Sequence, residues 1–276
     1  MLEFLKAILF GIVEGVTEWL PISSTGHMIL LNEFVKLDVS PEFWEMFLVV
    51  IQLGAIVAVV LLFWNKIFPF QFDKKPIIKK DIFEMWFKVL VACVPAAIVG
   101  IFFDDNLEKY LYNYVTVSIA LIVFGIAFLI IEEKNKGKKA KIRKISQITY
   151  KTAALIGVFQ LIAAIFPGTS RSGATIVGAL LLGVSRTVAA EYTFFLAIPV
   201  MFGASLLKGV KFLAESSLQQ GEGVILLVGM VVAFAVSLFV IKFLMGYIKK
   251  HDFKVFGWYR IVLGVIVLLC GVVGII

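Results

Sequence analysis

The sequence predicts an all-α integral membrane protein, with about six transmembrane helices plus two re-entrant helix–loop–helix hairpins in an inverted repeat. Three observations predict it. Of the 276 residues, 61% are hydrophobic and 16% charged, against about 45–50% and about 25% in a soluble domain. The apolar residues fall in runs near the ~20 that a helix needs to cross a bilayer. The loops between the runs alternate between basic and non-basic, as the positive-inside rule expects. This composition excludes a disordered chain, a collagen and an ordinary water-soluble enzyme. The net charge of +7 comes from Lys and Arg in the gaps between apolar runs, so it sets orientation and does not point to nucleic acid. Cys93 and Cys270 stand far apart in apolar sequence and read as core thiols, with neither a zinc site nor a disulfide expected.

Long apolar runs lie near 42–64, 84–103, 114–132, 190–209, 223–244 and 257–276. The 65–83 loop carries Lys66, Lys74, Lys75, Lys79 and Lys80 against Asp73 and Asp81. The 134–151 stretch has eight bases and no acid, and 245–256 carries Lys249, Lys250 and Lys254. These three loops are expected on the cytoplasmic side. Loops 104–113 (Asp104, Asp105, Glu108, Lys109) and 210–222, and the C-terminus, are expected outside. No cleavable signal peptide is expected, because the first apolar stretch holds Glu14 and Glu18 and lacks a small-residue cleavage site.

Stretches 4–36 and 152–184 do not read as simple spans. Each is interrupted by a polar cluster, Pro21 to Gly26 and Pro167 to Gly173. Each half is too short to cross comfortably, and irregular backbone at membrane depth survives only when buried in protein or lining a watery cavity. They therefore read as re-entrant hairpins. The two stretches are alike at a spacing of 146: Ala7 meets Ala153, Gly11 meets Gly157, Pro21 meets Pro167, Ser23 meets Thr169 and Ser24 meets Ser170. Three spans separate the hairpins, and an odd number inverts the second copy. The expected organisation is one polytopic domain, 1–276, with repeats near 1–132 and 147–276. Broken helices at matching places in inverted repeats point to a binding site near the midplane.

Ionisable groups in hydrocarbon are costly and hence candidates for function. In the hairpins these are Glu14, Glu18, His27 and Arg171. Glu14 and Glu18 share a helix face, which suits a shared proton, a divalent cation such as Mg²⁺ or Ca²⁺, or merely a wet helix surface. Ser23, Ser24, Thr25 and Gly26 have the composition of a helix N-cap, whose free N–H groups form an anion site. His27 can act as base, acid or nucleophile, or be structural. In the second loop, Gly168 permits close backbone approach, and Thr169, Ser170, Ser172 and Thr175 offer hydrogen bonds to an oxyanion. Arg171 either pairs with Glu14 or Glu18 or grips a phosphate. Arg186 and Glu191, near a span boundary, are expected to pair or face water, and His251 to lie at the surface.

The run Glu14-Gly-Val-Thr-Glu18-Trp-Leu-Pro-Ile-Ser-Ser-Thr-Gly-His27, followed by Pro167-Gly-Thr-Ser-Arg171-Ser-Gly-Ala-Thr175, resembles the two signatures of the undecaprenyl-diphosphate phosphatases of the bacitracin-resistance type. The resemblance implies hydrolysis of a polyprenyl diphosphate to the monophosphate at the outer face of the bacterial plasma membrane. That reaction recycles the cell-wall lipid carrier and confers bacitracin resistance. It also implies a homodimer. On this reading Glu14, Glu18, Ser24, His27 and Arg171 carry the chemistry. Ser23, Thr25, Gly168, Thr169, Ser170, Ser172 and Thr175 bind the diphosphate, and Glu14 and Glu18 hold a Mg²⁺ or Ca²⁺ ion. Either Ser24 or His27 attacks phosphorus, or one of them activates water. The competing expectation is a flippase or transporter for the same lipid, since inverted repeats with broken helices serve alternating access.

Overall fold

A computed structural model describes residues 1–72, 76–111 and 113–274, with the side chains of 103–109 left aside. The loop charges expected at Asp73, Lys74, Lys75, Asp104, Asp105, Glu108 and Lys109 lie outside the described side chains. Among the described residues all regular structure is helical; the only β pairing is two isolated bridges, Phe70 with Ile78 and Ile142 with Val184.

The first hairpin is α1 (Leu2–Thr17) and α2 (Ser24–Phe34). There follow α3 (Pro41–Val50), α4 (Gln52–Leu62), the single turn α5 (Trp64–Ile67), α6 (Lys80–Leu111) and α7 (Tyr114–Asn135). A short 3₁₀ turn, Ile145–Gln147, leads to the second hairpin, α8 (Tyr150–Ile165) and α9 (Arg171–Leu181). The chain closes with α10 (Arg186–Glu215), α11 (Glu222–Tyr247) and α12 (Lys254–Val273).

Among the described residues six helical segments are long and apolar enough to cross a membrane: Pro41–Leu62, Lys80–Phe102, Tyr114–Asn135, Arg186–Glu215, Glu222–Tyr247 and Lys254–Val273. These are the six expected spans, with two differences. The first is broken at Ile51 into α3 and α4. Close packing accompanies the break: a Cβ on Gly54 would lie 2.0 Å from the Met230 carbonyl oxygen of α11. The second runs on as α6 to Leu111, so most of the expected loop 104–113 is helix. The outer faces carry exposed Phe102, Leu213, Trp258, Phe239 and Val272. Apolar surface so continuous suits lipid, not water. The chain is a multi-pass membrane protein.

Buried glutamates fasten both ends of the bundle. At one end Glu222 accepts from the Ser40 N–H (2.9 Å), the Ser40 hydroxyl (2.8 Å) and the Gln219 N–H (2.8 Å), joining the starts of α3 and α11. Ser40 also caps α3, accepting from Phe43 N–H, with Pro41 in the first helical turn, where its missing N–H costs nothing. At the other end Glu132 takes a forked ion pair from Arg186 and a bond from the Phe253 N–H at 3.0 Å, joining α7, α10 and α12. The 30-residue α10 runs between the two ends, about 45 Å at 1.5 Å per residue. Glu191 pairs with Lys66 at 2.7 Å, so both Arg186 and Glu191 pair as expected. Cys93 and Cys270 are free thiols, the first buried and the second half-buried. His251 is exposed and stacks on Tyr247.

The hairpins cross between the halves of the chain. Helix α1 of the first hairpin lies along α11, and α8 of the second lies along α6. Small residues set both contacts. A Cβ on Gly11 would come 2.6 Å from the Gly229 carbonyl oxygen, and one on Gly157 would come 2.6 Å from that of Ala92. The two close approaches mirror each other at positions matched by the 146 spacing.

Candidate active site

The two hairpin tips are built alike. Helix α2 is capped by Ser23, whose hydroxyl accepts from the Gly26 N–H at 3.3 Å. Helix α9 is capped by Ser170, whose hydroxyl accepts from Gly173 N–H at 3.2 Å. These two serines are also the two non-glycine residues with positive φ among the described residues, at 74° and 68°. This is sterically costly backbone for an L-residue, held where function concentrates. The caps set Ser23 and Ser170, 147 residues apart, in like positions, whereas the spacing of 146 pairs Ser23 with Thr169. One residue more separates Pro167 from its cap than separates Pro21 from its own. The extra room is made at Gly168, where φ is 86° and a Cβ would lie 2.6 Å from the Val117 carbonyl oxygen.

Side chains join the tips. Arg171 Nη2 donates to Glu18 Oε1 at 2.8 Å, and its Nη1 to the Thr193 carbonyl of α10 at 3.0 Å. The Ser24 hydroxyl donates to the other Glu18 oxygen at 2.7 Å. The Ser172 hydroxyl donates to the Glu18 carbonyl at 3.2 Å and lies 3.1 Å from that of Ser170. Of the two partners the sequence left open for Arg171, the structure selects Glu18. A relay thus runs from Ser24 through both oxygens of Glu18 to Arg171. The pair is largely buried, where a hydrogen-bonded ion pair holds its geometry more tightly than at a surface.

Burial sorts the remaining residues. Ser24, Thr25, His27, Ser170 and Arg171 are half-buried and line the accessible side of the tips. Thr169, Ser172 and Thr175 are fully buried. The Thr175 hydroxyl lies 2.9 Å from that of Thr193 and donates to the Arg171 carbonyl, bracing the first turn of α9. The Thr169 hydroxyl is enclosed without a partner among the described residues. Glu14 is also buried, with Oε1 unpartnered. No group of three or more His, Cys, Asp or Glu able to hold a metal occurs among the described residues.

His27 stands apart from the relay. Its Nδ1 lies 2.7 Å from the Ser23 carbonyl oxygen, which can only accept, so Nδ1 carries the proton. A neutral ring then leaves Nε2 as acceptor for the Tyr259 hydroxyl at 2.7 Å, and the two rings stack. The next residue, Arg260, is completely buried. Its guanidinium donates to Pro21 O of the first tip and to Gly168 O and Thr169 O of the second. The sequence reading missed Tyr259, Arg260 and Thr193. A signal existed for one of them: Arg260 is an arginine inside an apolar span, which marks a functional candidate.

Two capped helix N-termini, a carboxylate-bound serine and a pinned arginine, enclosed in a helical membrane bundle, define a membrane protein with a site suited to an anionic, phosphate-like group. The comparisons narrow that class. A family profile described as Bacitracin resistance protein BacA matches residues 7–266, and the chain belongs to this family. It is 66% identical over 269 residues to an undecaprenyl-diphosphatase of Desulfitobacterium hafniense, covering 98% of this chain and 96% of that one. It is 65% identical to undecaprenyl-diphosphatase 1 of Clostridium acetobutylicum, covering 97% of each. It is 63% identical to an undecaprenyl-diphosphatase of Enterococcus faecalis, covering 97% of each.

Proposed function

We propose that this chain hydrolyses undecaprenyl diphosphate to undecaprenyl phosphate and inorganic phosphate, returning the lipid carrier to cell-wall polymer synthesis. Its relatives of 63–66% identity carry the name of that activity. The observation that carries the mechanism is the Ser24–Glu18–Arg171 relay. Glu18 Oε2 takes the proton of Ser24 as its Oγ attacks the terminal phosphorus. The Oγ–P bond forms, the P–O–P bridge breaks, and undecaprenyl phosphate leaves. Water then cleaves the phosphoserine, releasing phosphate and restoring the hydroxyl. Arg171 and the N–H groups at the starts of α2 and α9 offset the charge that grows on the phosphoryl oxygens. Ser23, Thr25, Gly168, Thr169, Ser170, Ser172 and Thr175 shape the pocket around the diphosphate. His27, held by Tyr259, is the alternative nucleophile or base.

Glu14, together with Glu18, would hold a divalent cation, Mg²⁺ or Ca²⁺, if one binds with the substrate. The buried, unpartnered Glu14 Oε1 is the free donor, and Glu18 neighbours it one turn away. Such an ion would neutralise phosphate charge. The loop charges favour an orientation with the first hairpin on the outer side and the second on the inner side, the family resemblance implies a site open to the outer face of the plasma membrane, and the mirrored packing of α1 and α8 favours inverted repeats. A homodimer completes the reading; crosslinking in native membranes tests it.

Phosphate release from undecaprenyl diphosphate by purified protein is the test. A flippase alone releases none. Phosphate retained on Ser24 after a quench supports the serine route, whereas rapid turnover by S24A removes it. Loss of activity with chelator, restored by Mg²⁺ or Ca²⁺, supports the cation at Glu14 and Glu18; full activity without divalent ions removes it.

A further inference from the structure

Arg260 sits where the two tips meet, yet the relay does not use it. Its side chain is 0% exposed. Nη2 donates to the carbonyls of Thr169 at 2.7 Å and Gly168 at 3.0 Å and reaches Ala120 O at 3.5 Å, while Nη1 donates to Pro21 O at 3.3 Å. The Phe124 ring covers one side, 5.9 Å away. Nε has no partner among the described residues, and neither does the guanidinium form an ion pair with any described carboxylate. Arg171 is different, because Glu18 neutralises it. A buried cation without a counter-ion is costly, and carbonyl dipoles offset only part of that cost. The tip carbonyls gain an orientation from it. With Gly168 and Thr169 carbonyls turned onto Arg260, their trans peptide planes point the following N–H groups the other way. One of these belongs to Ser170, the α9 cap. Nη1 also lies 3.0 Å from where a Cβ on Gly173 would stand, so the charge rests beneath the first turn of α9.

We propose that Arg260 is a positioning residue for phosphoryl transfer. It clamps both hairpin tips through their backbone carbonyls and supplies the site with a positive charge that pairs with no described carboxylate. This rests on the phosphatase reading. Charge and clamp act together when the phosphate anion arrives: the guanidinium fixes the carbonyls of Gly168 and Thr169, and through the latter peptide the N–H of the cap Ser170, while its charge reinforces the field at the start of α9.

The test compares wild type, R260K and R260M as purified full-length proteins, assayed for phosphate release from undecaprenyl diphosphate across pH. Helix content and elution volume report folding. R260M is expected to lose about 10²-fold in kcat, the scale of losing one preorganised electrostatic group, with a much smaller change in KM. R260K is expected to recover part of that loss at low pH and to decline as pH rises, because burial depresses a lysine's pKa while a guanidinium stays charged. A purely structural arginine would not create that alkaline limb. Folded R260M with wild-type kcat overturns the proposal, as does R260K whose pH profile matches wild type. So does failure of R260K to fold, which would make the residue a fold determinant only. A wild-type protein that releases no phosphate overturns the phosphatase reading and this proposal with it, whereas normal wild-type release with unaffected variants overturns this proposal alone.

Discussion

The two hairpin tips share a backbone and differ in chemistry. Both place a serine at positive φ, cap the next helix, and bond the glycine three residues on. At the first helical position one has Ser24 and the other Arg171. That single difference gives one tip the hydroxyl and the other the cation, and Glu18 between them binds both. Burial differs as well. Helix α9 is buried from Ser172 to Leu180, whereas α2 buries only Gly26 and Met28. The second tip is a fixed anvil packed against α10; the first is the more open side, where His27 and Tyr259 sit. On the proposed mechanism the same motif in two settings serves as nucleophile platform and as anion anchor.

The sharpest way to break this comparison is to remove its cation. Arg171→Ala should lower kcat/KM by at least ~10²–10³-fold, measured as phosphate release. Near-normal turnover would mean that the second tip is no anchor. Glu18→Gln keeps the shape but leaves Arg171 without its counter-charge and Ser24 without a proton acceptor. A loss of ~10²-fold or more is expected, within the range for general bases, and retained activity would point to His27 instead. Capping is the next test. Ser170→Ala and Ser23→Ala each remove a cap worth about 1 kcal/mol, and the glycine variants should be milder because glycine accepts positive φ. Ser170→Ala should lower the thermal midpoint of the whole protein, while Ser23→Ala should show mainly as faster hydrogen exchange in α2. Equal effects at both sites would contradict the difference in packing. The smallest effect is expected from Tyr259→Phe, which removes one hydrogen bond of about 0.5–1.5 kcal/mol. A several-fold drop in kcat would show that the tyrosine holds His27 for catalysis, and an unchanged rate would leave it a packing contact.

Much of this was legible in the sequence. Apolar run length gave all six spans, and polar punctuation at Pro21–Gly26 and Pro167–Gly173 marked both tips. Glu18 and Arg171 stood out because each is costly in hydrocarbon, and they prove to be each other's partner. Other features left weaker traces. The break at Ile51 accompanies the packing of Gly54 on α11, with no proline to announce it. The tail of α6 is polar enough to resemble a loop, yet it continues the helix to Leu111. The spacing of 146 pairs Ser23 with Thr169, whereas the caps are Ser23 and Ser170, because neighbouring Ser and Thr can be matched in either register. Thr193 and Tyr259 reach the site from distant helices, and for Arg260 the trace is the arginine itself inside an apolar span, its carbonyl partners carrying no side-chain signature.

The crossing of α1 onto α11 and of α8 onto α6 also restricts how the molecule can move. A rocking motion that carried the first half of the chain as one block would have to peel Gly11 from Gly229 and Gly157 from Ala92, both at backbone contact. The packing units are therefore drawn from both halves, with each hairpin's first helix lying on a helix of the other half. A hinge, where there is one, runs between these mixed bundles and not along the middle of the gene product.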